Sequence, residues 1–202
     1  VRPGGTLTIN GPAGYAGEET GGSFTHHGPK SDFTIAGGAA SFSTGAGGVT
    51  IITYSMSRGA THPTITLGAG TFMIHTVGGA TIHGGSGHVS VTNGPFALNF
   101  AGGTGTSWIS RGTGPTHIVA GSGKMNVTGG RSGGDPVYEV DAAAGGGEMT
   151  IAGFQEQDDK LLFKGFIGKP VSSQVVANGA LTITLTDGTR IVLPGISKPL
   201  AN

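Results

Sequence analysis

GAGTFMIHTVGGATIHGGSGHVSVTNGPFALNFAGGTGTSWISRGTGPTHIVAGSGKMNVT, residues 68–128, repeats every nine residues. With the positions of one repeat numbered one to nine, the fourth holds Gly70, Gly78, Gly87, Phe96, Gly105, Gly114 and Gly123, continuing to Gly133. The eighth is always apolar: Ile74, Ile82, Val91, Phe100, Ile109, Ile118, Val127 and Val137. Of the seven intervals between these eight residues, five are nine and the others are eight and ten. A glycine-rich linker has no reason to keep such spacing, so the period is structural.

The glycines are expected to supply positive φ in tight turns, and the residues after them to form short strands. Side chains alternate in a strand, so the sixth and eighth positions share the inner face while the seventh and ninth face outward. The sixth position reads Phe72, Ala80, Val89, Leu98, Ser107, Thr116, Met125 and Asp135, with a carboxylate only at the end. Burying a large aliphatic side chain stabilises by roughly 1.5 to 3 kcal/mol, enough for such a core to form without bound ions.

Two nonapeptides make one flattened coil, and coils stack at about 4.8 Å. The expected fold is therefore all-β: a parallel β-solenoid of about 18 residues per coil, β-roll-like, with a C-terminal β capping module. Three segments are expected: an irregular N-terminal solenoid over 1–66, regular coils over 67–138, and a cap over 139–202. In the first, Thr6–Ile9, Asp32–Ile35, Ala40–Ser43, Val49–Tyr54 and Thr64–Leu67 read as strands. Gly11–Gly28, with His26 and His27, reads as a protruding loop. In the cap, Leu181–Leu185 and Arg190–Leu193 alternate around Asp187-Gly188, a strong hairpin signal.

The segments GGDPVYEV (133–140), DDKLLFKGF (158–166) and ITLTDGTRIVLPGI (183–196) resemble the module that follows the nonapeptides in RTX (hemolysin-type) proteins. The nonapeptides themselves resemble the RTX repeat G-G-x-G-x-D-x-U-x, whose aspartates hold calcium between coils. The resemblance implies export by a type I secretion system and an extracellular or cell-surface location. This chain departs from the family by losing nearly all repeat aspartates. Asp135, with Asp141, is the candidate for one vestigial calcium site, and no other cofactor is required. Calcium takes six to eight oxygen ligands, and this end offers few.

Formal charge is zero but segregated. Residues 1–134 hold three acids, Glu18, Glu19 and Asp32, against six basic residues, together with all seven histidines. No basic cluster suits nucleic acid, and no apolar run reaches the ~18 residues of a membrane span. Cysteine is absent, which excludes disulfides and thiol chemistry. The chain begins at Val1, from which a longer precursor is expected.

Catalysis is not expected, because Phe33–Gly134 contains no Asp or Glu to act as an acid–base pair. The outward positions are more informative: Trp108 on one sheet, and Ala101, Val119 and Tyr138 in a stripe on the other, are too apolar for purely solvated faces. These are the expected interface residues. They point to a self-associating subunit of an extracellular fibre, matrix or surface layer. The alternative is an adhesin or carbohydrate-binding module with polysaccharide as partner.

Overall fold

The computed structural model describes residues 63–129 and 136–201 and, before them, the backbones of six strands. These six are β1 (Thr6–Ile9), β2 (Ala16–Glu19), β3 (Gly22–His26), β4 (Lys30–Ile35), β5 (Ala39–Thr44) and β6 (Gly48–Thr53). The coils continue with β7 (Thr64–Leu67), β8 (Thr71–Thr76), β9 (Ala80–His83), β10 (His88–Asn93), β11 (Leu98–Ala101), β12 (Thr106–Ser110), β13 (Thr116–Val119) and β14 (Lys124–Thr128). Then come β15 (Val137–Asp141), a 3-10 turn (Ala142–Ala144), β16 (Glu148–Ile151), β17 (Lys160–Lys164), β18 (Val171–Ala177), β19 (Ala180–Leu185) and β20 (Arg190–Pro194).

Successive strands alternate between two sheets. Odd strands β1 to β17 form a nine-stranded sheet; even strands β2 to β16 form the other, which β20, β19 and β18 extend to eleven. Every pairing in the coils is parallel, as expected of a β-solenoid. Thr106 lies opposite His88 and Lys124 opposite Thr106, so a regular coil takes 18 residues.

The loop expected over Gly11–Gly28 is replaced by two strands. β2 pairs in parallel with β4, and β3 pairs with both β1 and β5. A coil strand is fixed by ladders from the coils above and below, so a segment too polar or glycine-rich to read as a strand alone is held by its neighbours.

From β7 onward the alternation is visible in burial. Phe72, Val89 and Met125 of the sixth position and Ile74, Ile82, Val91, Phe100, Ile109, Ile118 and Val127 of the eighth are all buried between the sheets. The core continues into the cap through Met149, Ile151, Leu181, Ile183, Ile191 and Leu193. There the hairpin forms as its turn signal indicates, with β19 and β20 antiparallel and Gly188 at φ 88°.

The repeat glycines have a different cause from the one expected. Gly70 has a positive φ, 115°, but Gly87, Gly105 and Gly123 below it do not. What they lack is room: a Cβ on Gly87 would fall 2.0 Å from the Gly70 carbonyl oxygen, and one on Gly105 1.9 Å from that of Gly87. The backbones approach so closely because each carbonyl in this column takes a hydrogen bond from the coil after it. His88 N donates to Gly70 O, Thr106 N to Gly87 O and Lys124 N to Gly105 O, at 2.7 to 3.1 Å. Gly105→Ala should therefore lower stability by about 1–3 kcal/mol, the usual cost of overpacking. Thr104→Ala, at the exposed neighbouring position, should stay within about 0.5 kcal/mol in the same urea titration.

Candidate interaction surfaces

Trp108 stands on the outer face of the eleven-stranded sheet, between Ser90 and Asn126 in register, and is half exposed. Its ring stacks on that of His88, with centroids 6.2 Å apart and planes 28° from parallel. His88 in turn borders a shallow groove of about 570 Å³ that crosses the strand starts, lined also by Thr106, Lys124, Glu148 and Arg190. Arg190 Nη1 donates to Glu148 Oε2 at 2.7 Å, tying β20 to β16 beside this groove. Ala101 and Val119 are partly buried on the other sheet, in a row that continues from His83 to Glu139. The expected interface residues therefore lie on two opposite faces.

Tyr138 does not belong to either surface. It pairs with Ile118, an inner residue, and is fully buried, so the expected outward stripe ends at Val119. The cause is a one-residue change of register: Tyr138 takes the eighth position expected of Val137, and Glu139 takes the outward place beside Val119. Tyr138 sits against Phe154, centroids 6.2 Å apart, and beneath Arg111, whose guanidinium carbon is 5.5 Å from the ring centre. Burial pushes its phenol pKa up strongly, and its hydroxyl has no hydrogen-bond partner among the described residues.

Arg111 ends a polar column that the repeat conceals. Thr76 and Asn93 end β8 and β10, Arg111 directly follows β12, and all three are buried where the chain turns towards the other sheet. Thr76 Oγ1 donates to Asn93 Oδ1, Asn93 Nδ2 to Phe96 O at 3.0 Å, and Arg111 Nη2 to Gly129 O at 2.8 Å. These bonds satisfy polar groups that would otherwise be costly to bury, with the exception of Arg111 Nε, which is buried and has no hydrogen-bond partner among the described residues. In sequence the three residues look like ordinary turn positions.

Glu139 is a second site missed by the periodicity. Its carboxylate accepts from Lys164 Nζ at 2.7 Å and lies 3.0 Å from His117 Nε2. The Lys164 hydrogen bond, helped by His117 and opposed by burial, holds its pKa below the ordinary 4.5. The three residues come from β15, β17 and β13, so this contact clamps three neighbouring strands.

Of the two candidate calcium ligands, Asp135 lies outside the described residues. Asp141 Oδ1 accepts a hydrogen bond from Ala143 N at 2.9 Å, capping the 3-10 turn. Among the described residues no group of three or more His, Cys, Asp or Glu side chains could hold a metal ion. Nor is any described helix long and apolar enough to cross a membrane.

At the end of the rod the two sheets stop at different heights, because β19 and β18 have no counterpart beyond β17. Between them lies a cleft of about 740 Å³ lined by Phe154, Leu161, Phe163, Val171, Ile183 and Leu200, among others. The chain's last residues close part of it: Gln174 Oε1 accepts from Leu200 N at 2.8 Å and Gln174 Nε2 donates to Leu200 O at 3.2 Å. No family model matches the chain, and no curated protein matches it significantly.

Two measurements check these assignments. Tyr138→Phe removes an unpaired buried hydroxyl and should leave thermal stability unchanged or raise it, whereas Tyr138→Ala should cost about 3–5 kcal/mol; an exposed tyrosine would tolerate both. Because the folded pKa of Glu139 is lowered, its stabilisation is present above about pH 4.5 and is lost as pH falls through the folded value. Glu139→Gln should therefore be less stable than the parent at neutral pH, and the gap should narrow on acidification in a series of melts below pH 4.5.

Proposed function

We propose that this protein is a secreted structural subunit, a β-solenoid that associates with its own kind in an extracellular fibre, matrix or surface layer. The observation that carries the proposal is the state of the sheet ends. Among the described strands, β17 ends one sheet and β18 the other at the cap, each paired on one side only, and such an edge offers a row of N–H and C=O groups to another chain. The inner rows support a core independent of calcium, since hydrocarbon fills most of the sixth positions. The likeness of the C-terminal third to the RTX module supports type I export and an extracellular location, with Asp135 and Asp141 as the candidates for one vestigial calcium site. Nothing in this reading calls for enzymatic activity.

A carbohydrate-binding role is the second reading, and the Trp108–His88 stack beside a hydroxyl-lined groove favours it. Sugar rings pack on exposed aromatic faces while hydroxyl and charged groups orient them. One comparison separates the two. Purified protein and its Trp108→Ala variant are imaged by electron microscopy over a concentration series and tested for retention on polysaccharide columns. The structural reading expects concentration-dependent assembly in both proteins. Assembly absent from both, with retention by the parent alone, would instead establish the polysaccharide reading.

A further inference from the structure

We propose that two copies join tail to tail through β18, antiparallel about a twofold axis, so that the eleven-stranded sheet runs unbroken across the dimer. The inference rests on the self-association reading and specifies one contact within it.

β18 is the last strand of that sheet, and its seven residues, VSSQVVA, include no charge and no proline. Sheet edges are ordinarily protected by lysine, proline, a bulge or a covering segment. Here the one irregularity, between Val171 and Ser173, lies at the start of the strand, leaving Val175 and Val176 beyond it. Both are exposed, and on opposite faces: Val175 pairs with Thr182 on the outer face, Val176 with the inner Leu181. Val176 stays open because the nine-stranded sheet ends at β17 and places no strand opposite it.

The backbone is suitably presented. Asn178 and Gly179 both have positive φ, 52° and 74°, the signature of a two-residue type I′ hairpin. Such a turn makes Ala177 and Ala180 a hydrogen-bonded pair, so by alternation Val175 bonds inward to β19 and Val176 directs its N–H and C=O to the outer edge. Of the large exposed hydrophobic residues among those described, Val175 and Val176 both belong to this strand, and Ile167 lies in the turn that leads to it.

Charge selects the occupant. β18 carries no ionised group of its own, so a carboxylate or an ammonium group brought against it would find no partner of opposite charge on the strand. Pairing β18 with itself brings in no carboxylate. Twofold symmetry makes that pairing antiparallel, continuing the antiparallel β20–β19–β18 order of the cap. It also holds the two Lys169 side chains, each just before its β18, at opposite ends of the ladder, roughly 20 Å apart and beyond the ~10 Å screening length.

Sedimentation of the full chain over a concentration series tests the contact, alongside Val175→Lys, Val175→Thr and Ser90→Lys. Ser90 is exposed on the outer face of the coils, so its variant controls for added charge alone. The proposal expects a dimer in the parent, Val175→Thr and Ser90→Lys, and its loss in Val175→Lys at the same concentration with an unchanged circular dichroism spectrum. Parent-like association of folded Val175→Lys would overturn the β18 contact and leave self-association standing through another edge. A parent that is monomeric throughout would overturn both. Should Val175→Lys fail to fold, amide exchange on the parent decides: the Val176 amide is protected at high concentration and exchanges quickly on dilution. Exchange independent of concentration would sink the contact.

Discussion

The structure depends on one close approach, the stacking of backbone on backbone at the glycine column. The carbonyl oxygen of each coil sits where the next coil would carry a Cβ. That contact lets a turn donate to the carbonyl beneath it, so the ladder continues around the corner instead of ending with the strand. It extends past the repeat: Glu148 N donates to Gly123 O and Arg190 N to Gly147 O, both at 3.0 Å. Cap and coils are thus one hydrogen-bonded stack, and the apolar rows only have to fill the space that this stack defines.

The inner row was legible because strand alternation is a one-dimensional property. Ile82, Phe100 and Ile118 announce their side of the sheet by spacing alone. The reason for the glycines was not legible, since it lies in the coil above and no local φ reports it. Tyr138 was misread for a related cause. The interval between Val127 and Val137 already departs from nine, and the residue that restores the inner row is settled by pairing with Ile118, not by counting. The strands β2 and β3 were hidden in the same way, being defined by partners on either side. Of the candidate surfaces, Trp108 was placed correctly by its seventh position. The Thr76–Asn93–Arg111 column does recur once per coil, but its three side chains differ in kind and sit at the strand-to-turn junction, where inner–outer alternation gives no signal, and the Glu139 clamp depends on a register that counting misses.

The cap solves the problem of ending a solenoid asymmetrically. A hairpin can reverse chain direction in two residues, but it adds its strands to a single sheet. The eleven-stranded sheet therefore overhangs the other, and the inner face of the overhang needs another cover. Phe154, Phe166, Ile196 and Leu200 pack against the buried core at this end, and what they leave uncovered is the cleft beside Leu161 and Phe163. The cap closes the core of the rod while leaving the backbone edges of β17 and β18 open.

Charge then determines where contact is favourable. The described coil faces carry few ionised groups, and the best-formed ion pairs, Glu139 with Lys164 and Glu148 with Arg190, clamp strands of the same molecule to one another. Exposed ion pairs contribute little to association, and here they are already satisfied internally. The outer faces offer hydroxyls and isolated apolar groups such as Met73 and Trp108, which water solvates at little cost. An open strand edge differs, because it offers several directional bonds in a fixed register together with apolar side chains on both faces. With the faces quiet and the edges at the cap open, specificity between copies resides in which edge meets which. The uncharged edge of β18 satisfies that requirement with the least desolvation of charge.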